Sequence, residues 1–435
     1  MSHARRRTLY WMILCCGISI LWGYSVEHAQ PSFMEDFKAV YYGAKCVFLH
    51  TDPYKESGFL GVYLADGGTL PAAPDKAQIF LHAVPVCTNL PTSLLIAASF
   101  TILPCWLAQL LWLALTGGMF LLAASLISSL TEGYSCRVTL VLLCIVLANS
   151  EILFSGGNLA GIAISLCLVA VWCFLKERFI PAGIFCLAVS LALKPHDAGL
   201  VWLYFFLAGG LHRRRALQTL AVTATLALAA FLWVQPIAPD WMQELSANLM
   251  ATSAHGEINA PGPSSISFRN ANMLIDLQNV LSVFRDDPRF YNPASWLICG
   301  VLLLVWAIRT LRTRFTLPGA LLALASVAAL SMLPVYHRQY DAKLLLLTVP
   351  ACAMLWAKRG LIGWIAILLS TAGILVTGDI PSAILLTFTR NLSLPASGFA
   401  GKLLIVALLQ PAPFILLAMS FFYLWVYLRR DQESN

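Results

Sequence analysis

Long apolar runs, of which CWLAQLLWLALTGGMFLLAASLISS at 105–129 is the plainest, restrict this chain to one kind of fold. About 17 to 25 such residues cross the hydrocarbon of a bilayer as a helix, and lipid offers no partner to free backbone groups. Helices or a closed barrel are therefore the spanning structures available, and the roughly ten-residue alternation of barrel strands is absent. Composition agrees: 59% of the 435 residues are hydrophobic and only 11% are charged, against roughly 25% in soluble domains. The expected fold is all-α and integral to the membrane, one multi-span helical bundle over 1–435.

Basic clusters punctuate the runs: Arg5, Arg6 and Arg7; Arg137; Lys176 and Arg178; Arg213, Arg214 and Arg215; Arg309, Arg312 and Arg314; Lys358 and Arg359; Arg429 and Arg430. Basic residues mark cytoplasmic loops. Placing all of these clusters on the cytoplasmic side predicts twelve transmembrane helices, at 8–26, 105–130, 137–154, 158–175, 179–193, 196–211, 215–235, 294–309, 316–334, 340–356, 361–378 and 401–427. That side is then net basic and the rest of the chain net acidic, although the total is +7. The first run is expected to be an uncleaved anchor, since no small-x-small cleavage site follows in SVEHAQP. The twelve cysteines show no metal-type CxxC spacing and read as buried apolar residues. Cys46 and Cys87 fall on the same, extracytoplasmic side, where they can either pair or stay reduced.

Two long stretches, 27–104 and 236–293, form the extracytoplasmic loops, and every cytoplasmic loop is short. In the first loop, EDFKAVYYGAKCVFL repeats apolar residues at helical spacing (Phe37, Val40, Tyr41, Ala44, Val47 and Phe48), which predicts an interfacial helix. PTSLLIAASFTILP at 91–104 is too short to span and predicts a second one. The 236–293 stretch reads as a loop with a Gly/Pro/Ser centre followed by a short helix. No P-loop or GxGxxG site occurs, which argues against a nucleotide-driven pump, and no nucleic-acid partner is implied.

Four polar constellations fall on the extracytoplasmic side. Asp36 follows the first span on a predicted interfacial helix, where a carboxylate can act as general base or simply suit a helix N-terminus; Glu35 is the competing base. KPHD places Lys194, His196 and Asp197 at an outer turn, a setting for an anionic phosphate or for a Lys–Asp turn pair. SGGN at 155–158 offers close backbone approach at its glycines and an amide, Asn158, that caps a helix or bonds a sugar hydroxyl. YHRQYD gathers His337, Arg338, Tyr340 and Asp341; arginine suits phosphate and aromatic rings suit a sugar face, though both also anchor helices at the interface. Acid, cation, amide and aromatic groups on one side suit attack by an acceptor hydroxyl on a sugar carried by a lipid phosphate. The rival class is a polytopic transporter or flippase for a lipid-linked or anionic substrate, which usually shows paired broken helices in two related halves. No such symmetry is visible here.

The run D-F-x-x-V-Y-Y-x-A-x-x-x-F-x-x-x-D-P-Y after the first span resembles glycosyltransferase family 87, the DUF2029 proteins of the GT-C superfamily. So do the proline-bounded segment that follows, a G-x-N span opening, a span ending L-K-P and a late His/Arg/Tyr turn. The likeness runs from about residue 8 to 360. It implies a hexosyltransferase of GT-C fold that moves a sugar, often mannose, from a polyprenyl-phosphate donor to a lipid or glycan acceptor of the cell envelope. The reaction inverts the anomeric centre, with no cofactor and no required metal, in a bacterial inner membrane with the site outside the cytoplasm. Carried onto this chain, the resemblance puts the family's acid on Asp36, its aromatic pair on Tyr41 and Tyr42, its amide on Asn158, its lysine on Lys194 and its late histidine on His337. Together with the KPHD and YHRQYD turns this makes Asp36 the expected catalytic base, Lys194 with His196 and Arg338 the donor phosphate site, and Tyr41, Tyr42, Asn158, His337 and Tyr340 the sugar or acceptor contacts. SGGN, with Gly157 where related chains often carry glutamine, leaves the donor sugar open.

Overall fold

The computed structural model describes residues 3–28, 33–70, 86–265, 274–381, 384 and 398–429, with the side chains of 3–6, 26 and 27 excepted. Arg430 and parts of both long loops lie outside these. Among the described residues the elements are helical, and the nearest approach to a sheet is one isolated antiparallel bridge between Leu274 and Arg338. The bundle is built in two shells. Five helices are long and apolar enough to cross a membrane, at Arg7–Ser25, Cys105–Ser129, Gly210–Val234, Pro288–Arg312 and Pro411–Arg429. They turn Leu21, Trp22, Leu232, Leu297 and Leu304 outward, a surface that only lipid satisfies. Inside them lie shorter helices that are apolar all round, as interior helices are. Ala160–Leu175 is buried along nearly its whole length, and every residue of Leu317–Leu330 from Gly319 onward is buried.

Length is where expectation and structure differ. Among the described residues five helices are long and apolar enough to span and seven apolar ones are shorter, and several of the twelve expected spans are interrupted. The single span expected at 401–427 is two helices, Gly398–Leu409 and Pro411–Arg429, because Pro411 has no N–H to continue the first. The 137–154 span stops at Ala148 and resumes as Glu151–Ser155. The 340–356 span opens as a 3-10 helix, Asp341–Leu347, before Thr348–Ala357.

Both helices expected in the first loop are present, as Glu35–Phe48 and as Pro91–Ala97 running into Ala98–Ile102. Phe37, Val40, Tyr41, Ala44 and Val47 are buried as the spacing predicts, whereas Phe48 is exposed, its ring edge-on to Trp233. The second loop holds a helix that the sequence reading did not anticipate, Trp241–Ser253, besides the expected short one, Leu277–Phe284. Asn248 ties the former to the first loop by donating to the carbonyls of Tyr54 and Cys87. Cys46 and Cys87 are buried free thiols, so the disulfide reading is not realised.

The basic turns collect at one end of the bundle: Arg215 lies 3.5 Å from Glu177, His212 stacks on Phe315, and Arg309 sits over Tyr427. The turns at 34–36, 155–158, 194–197 and 336–341 meet at the other end. Their junction depends on Gly157, which has φ +64°, where an added Cβ would stand 2.9 Å from both Met34 Cε and Phe37 Cβ. Gly157→Ala combines a left-handed backbone with overpacking and is expected to destabilise by about 2–4 kcal/mol. Gly118, on the lipid-facing helix Cys105–Ser129, has open space around it, so Gly118→Ala is expected to be neutral or to stabilise by up to about 1 kcal/mol. Thermal unfolding of the two variants in detergent checks the contrast; equal melting temperatures would refute the docking role of Gly157.

Candidate active site

Asp36 reaches its position because the chain before it bends sharply. Met34 takes a left-handed conformation (φ 53°) at the start of Glu35–Phe48. The Met34 N–H donates to Ser155 O at 2.6 Å, and the Asp36 N–H donates to Gly156 O at 3.1 Å. The glycines of SGGN thus admit a neighbouring helix end, and Trp112 Nε1 donates to Gly157 O at 2.9 Å from behind. Asn158 fills the expected place at the start of a helix and, beyond that, holds Asp36. Its Oδ1 accepts from the Ala160 N–H at 2.8 Å, capping the next helix, and its Nδ2 donates to Asp36 Oδ2 at 2.8 Å. Asp36, not its neighbour Glu35, is the acid held this way.

Lys194 comes from the break between Ile180–Leu193 and Pro195–Leu207, where Pro195 ends one helix and starts the next. Its Nζ donates to Asp341 Oδ1 at 2.5 Å and to Asn158 Oδ1 at 3.4 Å, and lies 3.5 Å from Asp197 Oδ2. The ammonium also sits over the Tyr340 ring, 4.9 Å from its centroid. Asp341 Oδ2 accepts from the Arg338 N–H at 2.9 Å. One line of polar contacts therefore runs Asp36, Asn158, Lys194, Asp341, Arg338, drawn from four separate stretches of sequence.

The charges are shaped by this crowding. The Asp36 side chain keeps some exposure but is hemmed in by protein. The resulting desolvation raises its pKa above the ordinary carboxylate value, against the lowering effects of the Asn158 hydrogen bond and of Arg338 and Lys194. Burial disfavours the Lys194 ammonium, yet Asp197 and Asp341 outweigh it and hold the pKa above the usual lysine value.

The remaining expected residues divide into two groups. His337 is fully buried, its Nε2 3.6 Å from Asp197 Oδ1, and the His196 ring lies 5.0 Å from it, centroid to centroid. Arg338 is held by Tyr336 OH at 2.5 Å, Ile258 O at 3.1 Å and Asn259 Oδ1 at 3.0 Å, so it also fastens the second loop over the site. Tyr41 and Tyr42 lie apart from this group. They are buried in the apolar cluster around Phe37, with hydroxyls donating to Leu103 O (2.7 Å) and Asp66 Oδ2 (3.2 Å). The Asp52–Tyr54 end of the motif is a turn, with Asp52 Oδ1 accepting from the Tyr54 N–H. The Lys–Asp turn pair open at KPHD is present, Lys194 to Asp197 at 3.5 Å, and the closer partner, Asp341, is the one that residue type and spacing do not point to.

A lipid-facing bundle with a carboxylate, an amide and a paired lysine gathered at one polar end has the build of a membrane-embedded transferase. The family model of glycosyltransferase family 87 matches residues 88–334. That is more than half of the chain, which therefore belongs to glycosyltransferase family 87 and is a membrane glycosyltransferase. No curated protein and no solved structure matches it. The matched stretch holds Asn158, Lys194 and His196; Asp36, Tyr41, Tyr42, His337, Arg338 and Tyr340 lie outside it.

Removing Lys194 leaves two buried carboxylates, Asp197 and Asp341, without their cation. Lys194→Met is expected to cost about 3–5 kcal/mol, and adding Asp341→Asn to restore part of that loss. A double-mutant cycle on thermal unfolding in detergent measures the coupling; additive effects would mean the pair is not formed.

Proposed function

We propose that this chain transfers a hexose, mannose by family resemblance, from a polyprenyl-phosphate donor to a lipid or glycan acceptor, with inversion at the anomeric carbon. The observation that carries the reading is the line from Asp36 to Lys194 through Asn158, which sets a base and a cation at opposite ends of one polar site. The acceptor hydroxyl gives its proton to the Asp36 carboxylate while its oxygen bonds to the anomeric carbon. The bond from that carbon to the phosphate oxygen breaks, and its electron pair leaves with the polyprenyl phosphate. Lys194, with His196 and Arg338 alongside, balances the charge gathering on that phosphate. Tyr340 and Asn158 face the sugar, His337, expected there too, is fully buried and stands against Asp197 instead, and Tyr41 and Tyr42 support the Asp36 helix from its buried side. Family membership favours this transferase reading over the transporter or flippase.

A base must be deprotonated to work, and the pKa of Asp36 is raised. The acid limb of the transfer rate is thus expected above the ordinary carboxylate range near pH 4, and Asn158→Ala, which removes a lowering hydrogen bond, to move it higher still. Asp36→Asn is expected to cut transfer at least 100-fold while donor binding persists. Proteoliposomes supplied with labelled polyprenyl-phosphate hexose and a membrane-lipid acceptor extract provide the assay. Near-normal turnover by a stably folded Asp36→Asn protein would remove Asp36 from the role.

The site is proposed to face away from the cytoplasm in a bacterial inner membrane, because the basic turns gather at the opposite end. Cys136, beside Arg137 at that end, is the exposed cysteine of the twelve. A membrane-impermeant maleimide is expected to label it in inverted vesicles and not in intact cells. Labelling in intact cells, absent in Cys136→Ser, would reverse the orientation.

A further inference from the structure

No metal is expected from the sequence, yet the fold brings His337 to the adjacent pair His196 and Asp197, about 140 positions earlier in the chain. His196 and Asp197 open the helix Pro195–Leu207, and His337 arrives from the turn after Leu317–Leu330. The donor atoms of the three lie within 4.8 Å of one another. Asp197 Oδ1 is 3.6 Å from His196 Nε2 and 3.6 Å from His337 Nε2, too long for a hydrogen bond in either case. Two ligand atoms bound tetrahedrally to one ion at zinc-like bond lengths stand roughly 3.3 Å apart, close to the spacing seen here.

Three further features point the same way. The Nδ1 of the fully buried His337 lies 2.9 Å from Val335 O. A carbonyl only accepts, so Nδ1 carries the proton, and in the neutral ring Nε2 presents a lone pair. That Nε2 is buried with no hydrogen-bond partner. A backbone carbonyl fixing the far nitrogen is the usual support of a metal-bound histidine. On the other side, Lys194 lies against Asp197 Oδ2, which orients the carboxylate and leaves Oδ1 toward the histidines. His196 is itself 38% exposed, so the fourth coordination position opens to the site instead of being closed by protein.

We propose that His196 Nε2, Asp197 Oδ1 and His337 Nε2 bind one divalent transition-metal ion, Zn2+ being the best suited to two imidazoles and a carboxylate, with an open position facing Lys194 and the phosphate. This reading does not rest on the transfer reaction, because metal binding is measured without it. The full chain, carrying no histidine tag, is purified in detergent, stripped with chelator and dialysed against Zn2+, and metal content is determined by mass spectrometry. One equivalent of Zn2+ is expected to be bound. Co2+ in its place is expected to give the visible bands of a four-coordinate site. His196→Gln and His337→Gln are each expected to weaken binding at least tenfold. His212→Gln, at the basic end of the bundle, is expected to bind as the native chain does. His196→Gln, at the more exposed ligand, keeps the test valid if His337→Gln fails to fold. Absence of bound metal overturns the proposal, and so does binding that both ligand variants retain.

Discussion

The ammonium of Lys194 is the interaction on which the rest of this end of the molecule depends. Its partners come from the 155–158 turn, from its own helix break and from the 336–341 turn. Burying a lysine costs several kcal/mol in lost solvation, recovered only with good geometry and full pairing. Two carboxylates and an amide oxygen supply that pairing, one of them at 2.5 Å. In water the cluster would contribute little. In an apolar bundle it fixes how the helices stand relative to one another, since any other arrangement strands a charge.

The two-shell build explains why the polar groups gather at one end. The inner helix Leu317–Leu330 and the helices that meet at Lys194 end there, and the turns that follow them meet through the polar contacts of that lysine. The amphipathic helix Glu35–Phe48 lies across them, its apolar face on the cluster around Phe37 and its first turn over the Gly156–Gly157 backbone. Asp36 meets Asn158 because a glycine pair lets a helix end come that close.

The bundle, the interfacial helix and the segregation of basic turns were legible in the sequence because each rests on a local pattern: run length, 3,4 spacing, charge clusters. The site residues were legible one at a time. Asp36, Asn158 and Lys194 were all marked by polarity in an apolar setting, yet their contacts are long-range, with 122 positions between Asp36 and Asn158 and 147 between Lys194 and Asp341. Tyr41 and Tyr42 show the limit of residue type as a guide. The resemblance makes them sugar or acceptor contacts, but their position on the helix turns both into the buried cluster, where each hydroxyl finds a protein partner. The twelve-span reading assumed that every apolar run is one straight helix, and it could not register breaks whose free backbone groups are satisfied by side chains elsewhere in the chain.

Those breaks account for the other buried charges. Irregular backbone at membrane depth is tolerated only where its N–H and C=O groups find partners within the protein. The interrupted stretch 149–158 obtains them from five directions. Lys343 donates to Asn149 O, Ser19 Oγ accepts from the Ser150 N–H, and Asp379 Oδ2 accepts from the Ile152 N–H. The Met34 and Asp36 N–H groups take Ser155 O and Gly156 O. Asp341 and Lys343 lie two residues apart on one 3-10 turn, and that turn sends the first to Lys194 and the second to Asn149. A single tight turn thereby clamps both the lysine and the segment that carries Asn158. Lys343 and Asp379 are on this account scaffold for the break, and the second loop is fastened to the site separately, by Arg338 and by backbone hydrogen bonds from Ile275 to His337 and from Leu277 to Leu333.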